Sequence, residues 1–182
     1  MEHQLSNPAE RAVSYYQASA NTFERRPVLQ GDHHCDVVII GGGLTGCSTA
    51  LHLAQRGYAV QQIEARQIGF GASGRSGGQL IFGLACSMDV ITKQLGQQAA
   101  QAIFAMSLEA LDLTRSLISQ HHIKCDLTGG MAFAAIKDRH VHELRDYQTE
   151  LAQRYGYEQL QWLDKADIPQ QIESNRYQAL LL

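Results

Sequence analysis

Residues 36–46 read DVVIIGGGLTG, and few folds accommodate that order of residue types. The β-branched run DVVII (36–40) fits a buried strand and is too short for a helix. Glycines at 41, 43 and 46 follow it directly. Beyond them, LTGCSTALHLAQRG repeats Leu44, Cys47, Ala50, Leu51 and Ala54 at helical spacing, with Gly57 placed to end the helix. YAVQQIEA (58–65) predicts a second strand, weakened by Gln61 and Gln62. Strand, glycine turn, helix and strand in about 30 residues form a βαβ unit, and a right-handed crossover makes its two strands parallel.

Each glycine has a physical task in such a unit. Gly41 permits the tight turn, Gly43 lets a diphosphate approach the backbone, and Gly46 lets the helix pack on the strand. The helix N-terminus offers unpaired N–H groups and partial positive charge to phosphate. Glu64 ends the second strand, 18 positions after Gly46, where a carboxylate can accept from ribose hydroxyls and repel a 2′-phosphate. NADP is thereby disfavoured. A tight turn without a ligand also uses glycines, but strand, helix and acidic residue all agree here with a dinucleotide site. No Lys-Ser/Thr follows the glycines, so a P-loop is excluded.

The βαβ unit by itself accommodates NAD or FAD. A second glycine cluster, GFGASGRSGGQL (69–80), separates them. It begins a few residues after Glu64, where an NAD domain normally proceeds into a helix. Glycine costs about 0.5–1 kcal/mol relative to alanine inside a regular element, so five in twelve positions need a compensating reason. A second row of exposed amides can meet the far side of an extended diphosphate and a flavin ring. Ser73 can donate to phosphate and Arg75 can offset its charge. The plain alternative is a flexible linker with an incidental arginine.

Composition narrows the field further. The 182 residues carry 15 Lys+Arg against 18 Asp+Glu, a net charge of −3 with no basic block, so nothing favours nucleic acid or an anionic membrane as partner. No stretch reaches the roughly 18 apolar residues of a membrane span, and the polar N-terminus lacks a signal-peptide core, so a cytoplasmic location is expected. Cys35, Cys47, Cys86 and Cys125 are scattered without a C-x-x-C pair, and no two histidines stand four apart on a helix, which argues against a disulfide framework or a metal site.

Along the chain, residues 1–34 read as a polar arm with one short helix within PAERAVSYYQASAN (8–21). The fold class expected is α/β, with residues 35–95 holding the Rossmann-like dinucleotide-binding part and 96–182 the beginning of an α+β substrate domain. That second part predicts a helix through QQAAQAIFAMSLEALDLTRSLISQHHI, buried by Phe104, Leu108, Leu111 and Ile118. CDLTGGMAFAAI (125–136) reads as a strand bent at Gly129-Gly130. KDRHVHELRDYQTELAQRYG is a helix buried through Val141, Leu144, Leu151 and Tyr155 and closed by Gly156. LQWLD is a short strand, and Asp164 is placed to cap a last short helix with Asp167 in its first turn.

At VVIIGGGLTGCSTALHLAQRGYAV, IEARQIGFGASGRSGGQL, CDLTGGMAFAA and SYYQASAN, the chain resembles the D-amino-acid oxidase/glycine oxidase superfamily of FAD-dependent oxidoreductases, and within it the gamma-glutamylputrescine oxidases. Ser76 departs from it, since the family often has asparagine there, as does the weakened strand at Gln61-Gln62. The resemblance implies FAD as cofactor, with Gly41, Gly43, Leu44, Thr45 and Gly46 along the adenine-side diphosphate. It places Glu64 on the adenosine ribose and Ala65 beside the adenine. Ala72, Ser73, Gly78, Gln79 and Leu80 would approach the flavin half, with Arg75 nearby. The implied reaction oxidises a primary amine, gamma-glutamylputrescine first, to aldehyde and ammonia, with dioxygen reduced to hydrogen peroxide, as in putrescine catabolism. A related flavoprotein acting on another amine or amino acid, and an inactive FAD-binding fragment, are the alternatives. No residue is assigned as catalytic acid or base. Family members are longer than this chain, which therefore reads as the N-terminal portion of such an oxidase, ending on the apolar ALLL.

Overall fold

A computed structural model describes residues 14–22 and 26–182. The chain forms two compact units that divide between Gln79 and Leu80.

The first unit opens with a short helix, α1 (Tyr15–Ser19), whose N-cap Ser14 accepts from the N–H of Gln17 at 3.2 Å. Residues 8–13 of the helix expected there lie outside the described residues. The strand β1 (Val37–Ile40) runs parallel to β2 (Val60–Ile63), with Val37 opposite Val60 and Ile39 opposite Gln62. Between them runs α2 (Leu44–Gln55), completing the expected βαβ unit. Asp36 sets the register at the start. Its N–H donates to the carbonyl of Ala59 at 2.8 Å, and its carboxylate accepts from the Ala59 N–H at 2.8 Å. Gly57, at φ +88°, ends α2, and the Tyr58 N–H returns to the Leu53 carbonyl at 3.2 Å. Side chains alternate along each strand, so Ile39 and Gln62 share a face while Val38 and Ile40 occupy the other. Ile39 is buried, whereas Ile40 is 85% exposed.

The second unit is larger in its core. Helix α3 (Met88–Leu95) packs on α4 (Gln97–Gln120), and α5 (Asp138–Tyr155) follows. Three short strands, β3 (Phe133–Ala135), β4 (Trp162–Asp164) and β5 (Ala179–Leu181), make an antiparallel sheet in the order β3-β5-β4. The apolar end of the chain is thus the central strand, with Ala179, Leu180 and Leu181 all buried. Fully burying a leucine stabilises by about 1.5–3 kcal/mol, so Leu151, Ile168, Leu180 and Leu181 anchor this unit. One arginine joins its helices. Arg154 on α5 donates to Glu150 at 2.8 Å, to Asp89 in the first turn of α3 at 3.1 Å and to Gln97 of α4 at 2.9 Å.

Several sequence expectations change here. Helix α3 was not anticipated, and it packs on α4 within the second unit, so the compact units part well before residue 95. On α4 the buried residues are Ala100, Phe104 and Leu111, with Leu108 and Ile118 half-buried. The strand expected over 125–136 shrinks to Phe133–Ala135, because Asp126 (φ +50°) and Gly130 (φ +98°) turn the preceding backbone out of extended geometry. Asp164 does not cap a helix. Its carboxylate accepts from Trp162 Nε1 at 2.9 Å, and Asp167 takes the position before a short 3₁₀ turn, Ile168–Gln170. Gly156, in the left-handed region at φ +67°, closes α5 as its position predicts.

Candidate functional site

The site forms where β1 and β2 end and α2 begins. Gly41 leaves β1 at φ +107°, a conformation that side chains rarely adopt, and the chain enters α2 after Gly43. Gly46, in the first turn of α2, has no room for a side chain. A Cβ there would run into the carbonyl oxygen of Gly41, which is backbone and cannot yield. The third glycine therefore sets how closely helix and turn approach, as the spacing predicts.

Glu64 follows β2 and returns to this turn. Its Oε2 accepts from the Gly42 N–H at 2.7 Å and its Oε1 from the Arg66 N–H at 3.0 Å. These two backbone donors, Gly42 first, hold its carboxyl below the ordinary carboxylate range. A carboxylate has about four lone-pair sites, so both oxygens retain capacity for hydroxyl donors from a ligand.

The second glycine cluster folds back on the first. The Gly69 N–H donates to the Gly42 carbonyl at 2.8 Å. The Ser73 hydroxyl oxygen accepts from the Leu44 N–H at 3.0 Å. Gly43, the N-cap of α2, has no side chain to do this, so Ser73 caps the helix from the other loop. The remaining first-turn amides, at Thr45 and Gly46, have no partner within the helix. Within the second loop, a Cβ on Gly74 would strike the Gly69 carbonyl, so this glycine too is required by a close approach. The loop is a folded structure in contact with the first turn, which disposes of the linker alternative.

Between these segments lies an open cleft of about 430 Å³. Of the residues singled out from the sequence, Gly41, Gly43, Glu64, Ala65, Ala72 and Ser73 line it. Leu44, Thr45 and Gly46 form the adjoining first turn of α2. Arg75 stands in a 3₁₀ turn, Ser73–Arg75, and its enclosed Nε has no hydrogen-bond partner among the described residues. Gly78 and Gln79 do not line the cleft, and Leu80 begins the second unit. Sequence reasoning passed over Gly42, Arg66, Phe70 and Gly71, which also line it. Gly42 was signalled by the unbroken GGG run. The Arg66 guanidinium lies 4.5 Å from the centre of the Phe70 ring, a pairing that no periodicity announces.

The arrangement suits an extended, doubly charged ligand: a helix N-terminus for diphosphate and a carboxylate for sugar hydroxyls. Comparison with known proteins agrees. A family model described as FAD dependent oxidoreductase matches residues 36–181. The chain is 42% identical over 173 residues to gamma-glutamylputrescine oxidoreductase of Escherichia coli K12, covering 95% of this chain and 40% of that protein. It is 38% identical to a probable oxidoreductase, OrdL, of Haemophilus influenzae, over 92% of this chain and 39% of the relative. The chain thus spans about 40% of the length of these relatives. Among solved structures, glycine oxidase from Bacillus cereus superposes with a TM-score of 0.53 at 22% identity, covering 81% of this chain and 39% of that one. L-amino acid deaminase from Proteus vulgaris gives 0.56 at 19% identity, over 84% and 39%. These two share the fold. With its turn, carboxylate and second glycine loop assembled and the family model matched over most of its length, the chain belongs to the DAO family of FAD dependent oxidoreductases.

Proposed function

We propose that this chain supplies the FAD-binding part of an oxidase of primary amines, and that gamma-glutamylputrescine is its substrate. The cleft carries the cofactor reading, because this one open cleft of about 430 Å³ gathers the α2 N-terminus, Glu64 and the second glycine loop. That volume falls in the range of small-molecule sites. The substrate comes from the Escherichia coli relative, whose name specifies gamma-glutamylputrescine and which is matched along 95% of this chain.

In this reading the amides of Gly43, Thr45 and Gly46 meet the diphosphate, and the Ser73 hydroxyl proton turns to a phosphate oxygen while its oxygen keeps the Leu44 N–H. Glu64 accepts from the ribose hydroxyls, with Ala65 beside the adenine. Arg75, in the 3₁₀ turn that follows Ala72, offsets the charge of the phosphates, and Gly78, Gln79 and Leu80 follow toward the flavin half. Bound FAD supplies the electron acceptor: the amine carbon loses a hydride, the imine hydrolyses to aldehyde and ammonia, and dioxygen takes the electrons to give hydrogen peroxide. The protein's share is to bind, orient and exclude competing reactions.

The test begins with the visible absorbance of the purified chain after incubation with FAD and gel filtration. Hydrogen peroxide release is then followed with gamma-glutamylputrescine, glycine and sarcosine. Retained flavin with selective release from gamma-glutamylputrescine is expected. Release from glycine or sarcosine instead would move the substrate class, and a colourless protein would refute the cofactor reading for this chain.

A further inference from the structure

Gln62 is out of keeping with its place. It stands in β2 opposite Ile39, on the face that α2 covers, where an apolar residue would serve packing best. Its amide nitrogen donates to the Gly41 carbonyl at 2.9 Å and lies 3.6 Å from Cys47 Sγ on α2. A carbonyl only accepts, so the nitrogen and not the oxygen of the amide must face it. The missing side chain of Gly46 makes room for that nitrogen, since a Cβ there would stand 3.1 Å from it.

The consequence for the turn follows from peptide geometry. In a trans peptide the C=O and N–H point in opposite directions. The Gly41–Gly42 peptide is held at both ends, its oxygen by Gln62 and its N–H by Glu64 Oε2 at 2.7 Å. The next peptide has its Gly42 oxygen held by the Gly69 N–H at 2.8 Å, which directs the Gly43 N–H the other way. Gly41, Gly42 and Gly43 carry no side chains to resist rotation of these peptides. Hydrogen bonds must do what sterics elsewhere do.

Building on the cofactor reading above, we infer that Gln62 is a positioning residue. By anchoring the Gly41 carbonyl on the α2 side, it fixes the glycine turn so that the Gly43 N–H and the first-turn amides of α2 are presented to the diphosphate of FAD. It touches no ligand itself and acts through the turn.

Two substitutions in the full chain test this, with FAD affinity read by quenching of flavin fluorescence and folding read by melting of the FAD-free protein. Gln62→Met keeps the volume and removes the donor. Because the Gly41 carbonyl loses this donor, the FAD-free melting temperature should fall modestly, and at temperatures where the FAD-free chain is still folded FAD should bind about three- to tenfold more weakly, the range a net hydrogen bond implies. Gln62→Glu keeps the shape but carries a proton only in acid. Its FAD affinity, taken relative to wild type at the same pH, should be weakened at about pH 8 and recover toward about pH 4, below the ordinary glutamate pKa of about 4.3, where the neutral acid can donate to the Gly41 carbonyl. A merely structural role would show the recovery in the FAD-free melting temperature alone and leave the affinity of the folded chain unchanged. Wild-type affinity in Gln62→Met, or a Gln62→Glu affinity parallel to wild type at both pH values, overturns the role while leaving the cofactor reading intact. A wild-type chain that takes up no FAD overturns both.

Discussion

Glycine 46 and glutamate 64 show how single residues define this cleft. Gly46→Ala would press a methyl group into the Gly41 carbonyl, and the helix must retreat from the turn to admit it. Overpacking of this kind costs about 1–3 kcal/mol. The expected result is a lower melting temperature together with loss of FAD retention on gel filtration. A variant that melts and binds like wild type would show that α2 can shift freely. Glu64→Gln tests the electrostatics. The Glu64 carboxyl is held below its ordinary value by the Gly42 and Arg66 N–H groups, so the folded state favours its ionised form. Its contribution to stability is present above the unfolded carboxylate value and disappears as pH falls through the lower, folded one. Melting curves of wild type and Glu64→Gln should therefore differ at neutral pH and converge on acidification below the ordinary carboxylate range. A gap that persists unchanged into strong acid would mean the hydrogen bonds, not the charge, are responsible.

Among the elements, what the sequence announced and what it concealed divide by range of interaction. The βαβ unit was legible because its signals are local: a β-branched run, three spaced glycines, a helical repeat and Gly57 at the end. Glu64 was legible for the same reason. The tie between the two glycine clusters was not, since Ser73 meets Leu44 across 29 positions and a serine in a glycine-rich loop has no periodic signature. Nor was β5, whose partners at Phe133 and Trp162 lie far back in the chain and whose place at the sheet centre depends on both. Helix α3 is only eight residues long, and its burial rests on Ile91 alone. Two experiments test these long-range links. Ser73→Ala should cost about 0.5–2 kcal/mol, the usual effect of losing an N-cap, and should weaken FAD binding, because the cap and the second loop's position are lost together. Unaltered urea unfolding would show that water replaces the hydroxyl without loss. Leu180→Ala removes a fully buried side chain from the central strand and should destabilise the second unit by about 2–5 kcal/mol. If chemical denaturation shifts by much less, the sheet core is able to collapse around the gap.

At the scale of the whole molecule, the two units differ in how they are stabilised. Ile39 is the buried apolar residue of the first unit among those described, whereas Phe104, Leu111, Leu151, Ile168, Leu180 and others fill the second. Val38 and Ile40 remain exposed on the sheet face away from Ile39. The first unit relies instead on hydrogen bonds that converge on the glycine turn, from Gln62, Glu64, Gly69 and Ser73. A ligand that binds this turn stabilises the folded form by RT ln(1 + [L]/Kd), about 2.7 kcal/mol at a hundredfold excess over Kd. For a thinly cored unit that is a large fraction of its stability, and the second unit contributes no residue to the lining of the cleft. Hydrogen exchange read by mass spectrometry should show β1, α2 and β2 opening before the β3-β5-β4 sheet in the FAD-free protein. Saturating FAD should slow exchange across residues 41–46 and 64–75 by up to about a hundredfold while leaving β5 unchanged. Equal slowing in both units would show that they unfold as one body, and no slowing at the glycine turns would show that FAD is held elsewhere.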